Sequence, residues 1–165
     1  MTTAPNTDFW QKTHYGFERD NGHCLLTKVR NDFSITVKTE FYPKQQYDQC
    51  GLIIRADTHN WIKASVEFKT ENHSRLGSVV TNLGYSDWAT VDINTVIKSM
   101  WYRIQCRQSD FLIECSYDGM YWTQLRITHL HIPFNEITAG VYACSPMKSS
   151  FKAVFDCFNL GKSCW

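Results

Sequence analysis

Hydrophobic residues recur with a period of two along almost the whole chain, and that pattern excludes most folds. From 33 to 41, Phe33, Ile35, Val37, Thr39 and Phe41 fall on one face, with Ser34, Thr36, Lys38 and Glu40 on the other. Successive side chains of an extended strand point to opposite faces, so this alternation marks a half-buried strand, and its β-branched content agrees. From 60 to 69 the pattern returns: Ile62, Ala64, Val66 and Phe68 point one way, and Trp61, Lys63, Ser65, Glu67 and Lys69 the other. Further strands are expected at 23–29, 49–56, 76–82, 100–107, 110–116, 121–127, 137–144 and 151–160. The stretch 107–110 (RQSD) separates two of them, and Asp118-Gly119 supplies the φ > 0 positions of a tight hairpin.

No segment carries a helical stripe of useful length. The best attempt, 92–100, is short and β-branched and reads as a turn or a single helical turn. About ten short strands with brief connections imply an antiparallel sandwich or barrel. No Pro- or Ser-rich linker, charge block or repeat interrupts the 165 residues, so one all-β domain is expected over 1–165. A chain of that size can bury a sizeable core without external staples.

Composition narrows the function classes. Seventeen Lys+Arg stand against 16 Asp+Glu, so no broad basic field exists to hold a phosphate backbone, and nucleic acid is excluded as a first reading. No apolar run approaches the length of a membrane-spanning helix, so no membrane partner is expected. The first eight residues lack the charged and apolar regions of a secretory signal. Seven cysteines (24, 50, 106, 115, 144, 157 and 164) are an odd number, several lie in apolar runs, and none forms a Cys-x-x-Cys pair. Reduced thiols in the cytoplasm are the expectation, without a zinc ribbon or a redox motif.

Several motifs are distinctive. Residues 9–23 (FWQKTHYGFERDNGH) crowd aromatics, two His and two Gly together. They are followed in order by 46–55 (QYDQCGLIIR), 61–68 (WIKASVEF), 79–81 (VVT), 86–88 (SDW), 116–122 (SYDGMYW) and 140–146 (GVYACSP). Together these blocks resemble a family of uncharacterised domains that includes the yeast regulation-of-enolase proteins. The resemblance implies a concanavalin A-like lectin/glucanase fold, two curved antiparallel sheets in a jelly-roll sandwich. It implies no reaction, and fold alone does not supply one.

On such a fold a ligand would lie in the concave face. Lys63 and Glu67 occupy the polar side of their strand, Arg103 that of 100–107 and Glu114 that of 110–116, with Tyr142 nearby. If the strands are neighbours, these five side chains share one surface, where charged groups between aromatics suit a small polar ligand or a sugar. The alternative is a solvated sheet face laced with cross-strand ion pairs. Glu67 and Glu114 also raise glycoside hydrolysis by paired carboxyls. Against it, the Glu-x-Asp-x-x-Glu string of sandwich-fold glucanases is absent, and a neighbouring Lys63 would depress a carboxyl pKa.

Trp10, His14 and His23 extend the candidate binding set, either gathering at one end of the concave face or packing onto the sandwich edge. His129 and His131 share a strand face, but no acidic or thiol partner is evident in sequence to complete a metal site, and no metal or cofactor is expected. The leading reading is a non-catalytic binding or regulatory sandwich for a small polar ligand, a sugar or a partner protein; the alternative is carbohydrate binding or glycan hydrolysis through the concave carboxylates.

Overall fold

The computed structural model describes every residue except Asn31. Among the described residues there is no helix, and thirteen strands follow one another along the chain. They are β1 (Phe9–Gln11), β2 (Glu18–Asp20), β3 (His23–Arg30), β4 (Phe33–Phe41), β5 (Gln49–Arg55), β6 (Trp61–Phe68) and β7 (His73–Asn82). The remainder are β8 (Tyr85–Asn94), β9 (Ser99–Arg107), β10 (Asp110–Ser116), β11 (Thr123–His129), β12 (Glu136–Cys144) and β13 (Ala153–Lys162). Two antiparallel sheets form a sandwich: five strands in the order β11-β10-β9-β4-β13, and six in the order β3-β12-β5-β6-β7-β8. Of the antiparallel sandwich or barrel expected from the strand pattern, the sandwich is the observed architecture.

Alternation explains the core. Ile35, Val37, Tyr102, Ile104, Phe111 and Ile113 project inward from the five-stranded sheet. Leu52, Ile54, Ile62, Ala64, Val66 and Val141 meet them from the six-stranded sheet. Burying each large side chain contributes roughly 1.5–3 kcal/mol, so this shared layer is the main source of stability. Every inward residue has outward neighbours on its own strand, and those outer faces carry the rest of the chemistry.

Three features depart from the expected strands. The aromatic run at 9–23 contains two three-residue strands, β1 and β2, paired as a small hairpin. Strand β8 lay outside the expected set, because most of its ten residues are exposed at a sheet edge. It also absorbs 92–94 from the stretch read as a turn; the chain turns only at 95–96 before β9 begins.

Candidate functional site

On β6, placing Ile62, Ala64 and Val66 in the core turns Trp61, Lys63, Ser65 and Glu67 outward. Neighbouring strands add Gln49 and Ile53 from β5, Tyr142 and Cys144 from β12, Arg75 and Val79 from β7, and Trp88 from β8. The β1–β2 hairpin folds over one end of this outer face. Phe9 meets Trp61 and Tyr142 edge-on, with centroids 6.1 and 6.0 Å away, and joins them in a second apolar cluster with Ile53, Val79 and Cys144. Gly22 permits that approach: a Cβ there would stand 2.2 Å from the Phe9 ring. Asp20 clamps the hairpin to β5 through a two-pronged pair with Arg55, with Nη2 donating to Oδ2 at 2.6 Å.

The rest of this face is a pocket of about 300 Å³. Trp10, Tyr15, Phe17 and Trp88 form its aromatic side. Trp10 touches Tyr15 and Trp88 edge-on, Tyr15 stacks on Phe17, and Arg75 and Arg19 lie over Trp88 and Phe17 at 5.2 and 5.7 Å. Gln49, Lys63, Ser65 and Glu67 supply the polar floor.

That floor is tightly wired. The Lys63 ammonium donates to the Phe9 carbonyl at 2.8 Å and to Gln49 Oε1 at 3.0 Å, and lies 3.7 Å from Asp8 Oδ1. The Tyr142 hydroxyl also donates to Gln49 Oε1, at 3.0 Å. Gln49 Nε2 donates to the Tyr47 carbonyl at 3.2 Å and to Glu67 Oε2 at 3.3 Å. Glu67 Oε1 is buried and has no hydrogen-bond partner. Burial pushes the Glu67 carboxyl up to about 7, against the opposing charges of Lys63, Lys69 and Arg75 and with help from Asp8. Lys63 does act in the depressing direction expected from sequence, but desolvation outweighs it.

The family model described as "Protein of unknown function (DUF1349)" matches residues 1–163. The chain belongs to this family. It is 32% identical over 163 residues to "Regulation of enolase protein 1" of Saccharomyces cerevisiae, spanning 97% of this chain and 79% of that protein. The crystal structure of a functionally unknown protein from Saccharomyces cerevisiae superimposes with a TM-score of 0.93 at 30% identity, over the whole chain and 88% of that one. More distant neighbours share the fold alone. The carbohydrate-binding module CBM66 from Bacillus subtilis matches at TM-score 0.55 and 17% identity, over 98% of this chain and 95% of that one. A xylan beta-1,4-xylosidase from Bacillus halodurans C-125 matches at 0.66 and 16%, over 88% of this chain but 29% of that one.

Against this family background, the candidate residues read from sequence divide. Lys63, Glu67 and Trp10 meet at the pocket, and Tyr142 lies beneath its floor. Arg103 and Glu114 do not join them. Strands β9 and β10 belong to the five-stranded sheet, so these side chains stand on the opposite outer surface of the sandwich. There Arg103 grips Glu114 with Nε···Oε2 at 2.6 Å and Nη2···Oε1 at 2.8 Å, Gln105 donates to the same carboxylate, and Trp122 covers the guanidinium at 4.1 Å. It is the cross-strand ion pair that the solvated-face alternative described.

The histidines separate as well. His14, at φ 63°, sits against Tyr15 beside a second, shallower hollow, whereas the His23 ring accepts the Ala4 backbone N–H at 3.2 Å. His129 has an acidic partner that sequence spacing did not reveal: Asp110, its cross-strand neighbour, at 2.7 Å. Among the described residues no group of three or more His, Cys, Asp or Glu side chains is arranged to hold a metal ion. Sequence reasoning missed Asp8, Gln49 and Arg75; Gln49 was within reach, since alternation along 49–55 sets it on the outward side with Ile53 and Arg55.

Proposed function

We propose that this protein is a non-catalytic binding and regulatory module that seats a small polar ligand in the pocket between the β1–β2 hairpin and the six-stranded sheet. The observation that carries this reading is a preformed cavity with an aromatic side and a polar floor whose groups hold one another in place, the build of a small-molecule site. The name of the yeast relative supports a regulatory role. A hydrolase built on Glu67 and Glu114 loses its geometric basis with the two carboxylates on different sheets. Seven free cysteines support residence in the reducing cytoplasm.

The test is a thermal-shift screen of small polar metabolites on the wild type and on Ser65→Trp, which fills the pocket from its floor. A ligand present at a hundred times its Kd should stabilise the wild type by about 2.7 kcal/mol. The gain should vanish in Ser65→Trp and shrink in Trp88→Ala. Turnover of aryl glycosides by the wild type that is lost in Glu67→Gln would overturn the non-catalytic reading.

A further inference from the structure

Hydrogen-bonding capacity in the pocket is not evenly spent. Two donors of the floor are committed: Lys63 to Phe9, Gln49 and Asp8, and the Gln49 amide to Tyr47 and Glu67. The Trp10 indole N–H, on the aromatic side, is bound to the Thr13 carbonyl at 2.9 Å. What stays unfilled is an acceptor, Glu67 Oε1, buried and without a partner. A buried polar atom left unpaired is costly, and a ligand that fills it recovers that cost.

Charge restricts the donor further. Lys63, Arg19 and Arg75 line the pocket. An ammonium group would meet those three cations. An anion would find Lys63 already engaged with Phe9, Gln49 and Asp8, and the carboxylates of Asp8 and Glu67 lining the same space. A hydroxyl meets neither difficulty. The aromatic side asks for an apolar patch on the same molecule, and a sugar ring presents C–H groups on one side and hydroxyls at its rim.

We infer that the pocket takes an uncharged, polyhydroxylated ligand, a sugar ring, with one hydroxyl donated to Glu67 Oε1 and the C–H side against Trp88 and Trp10. This assignment rests on the binding function proposed above and specifies its ligand class.

The experiment compares ring-matched probes by saturation-transfer NMR and calorimetry on the full chain. Neutral glucose, galactose, mannose, fructose and xylose are set against glucosamine, glucuronate and glucose 6-phosphate. At least one neutral sugar should bind, and its charged counterpart should bind no more tightly. Glu67→Gln should weaken the neutral sugar tenfold or more, while Arg103→Ala on the opposite sheet leaves it unchanged; circular dichroism confirms that both variants fold. If an amine or anion binds more tightly than its neutral parent, and Ser65→Trp abolishes that binding, the ligand class is wrong and the binding function stands. If no probe binds but another small polar molecule stabilises the wild type and not Ser65→Trp, the same conclusion holds. If nothing binds the pocket in either experiment, both fall together.

Discussion

Glu67 carries the strongest residue-scale consequence. With its folded-state pKa raised from 4.5 to about 7 by burial, the folded chain holds this proton more tightly than the unfolded chain between those values. Stability therefore falls as pH rises through that window. The penalty is absent below about 4.5 and fully developed above about 7, at most roughly 3–4 kcal/mol. Glu67→Gln removes the titration, so its melting temperature relative to wild type should be close to zero difference at pH 4.5 and clearly positive at pH 8. A constant offset across that range would show that Glu67 is not desolvated. No histidine lines the pocket to confuse the reading. Lys63 makes the opposite case: Lys63→Met strands the Phe9 carbonyl and leaves Asp8 without its cation, and should cost about 2–4 kcal/mol in urea denaturation.

At the scale of the element, the 116–122 hairpin shows local chemistry determining structure. Asp118 Oδ1 accepts the Tyr121 and Met120 backbone N–H groups, and these bonds hold the Asp118 carboxyl below its ordinary range; Ser116 Oγ accepts the Gly119 N–H. Gly119 adopts φ 78°, and a Cβ on it would stand 2.9 Å from the Trp101 ring. Gly119→Ala should therefore destabilise by about 1 kcal/mol or more, read as a lower urea midpoint at unchanged slope. The turn was legible in sequence because its parts lie within seven residues, but only Gly119 of the Asp118-Gly119 pair takes φ > 0, and six residues, 117–122, join β10 to β11 where a tight hairpin was expected. The central strands were legible too, since one buried face imposes period two. Strand β8 was not: Tyr85, Asp87, Ala89, Thr90 and Val91 are all exposed, and an edge strand facing water has no alternation to show. Nor was the membership of each sheet. Alternation correctly turned Arg103 and Glu67 outward, but β9 pairs with β4 and β10 while β6 pairs with β5 and β7, and nothing local to either strand records those long-range partners.

Across the whole molecule, two outer surfaces lie back to back over one core, and they divide its chemistry. The Arg103–Glu114 pair under Trp122 is closed on itself, while the six-stranded sheet keeps an open pocket. Perturbations on the two faces should add independently, because no side chain is shared between them. The thiols report the same solidity. Cys50, Cys106, Cys115 and Cys144 are buried and Cys24 is partly so, with burial raising each thiol pKa, to about 11 for Cys24. Only Cys157 and Cys164 are exposed, so Ellman's reagent should titrate two thiols in the native protein and all seven after denaturation. The most direct measurement is an NMR titration of the isotopically labelled chain with the neutral sugars. Shifts should concentrate at Gln49, Glu67, Arg75 and the Trp88 indole; shifts centred on Trp101, Arg103 and Trp122, or none with any sugar, would rule out a sugar site on the six-stranded sheet.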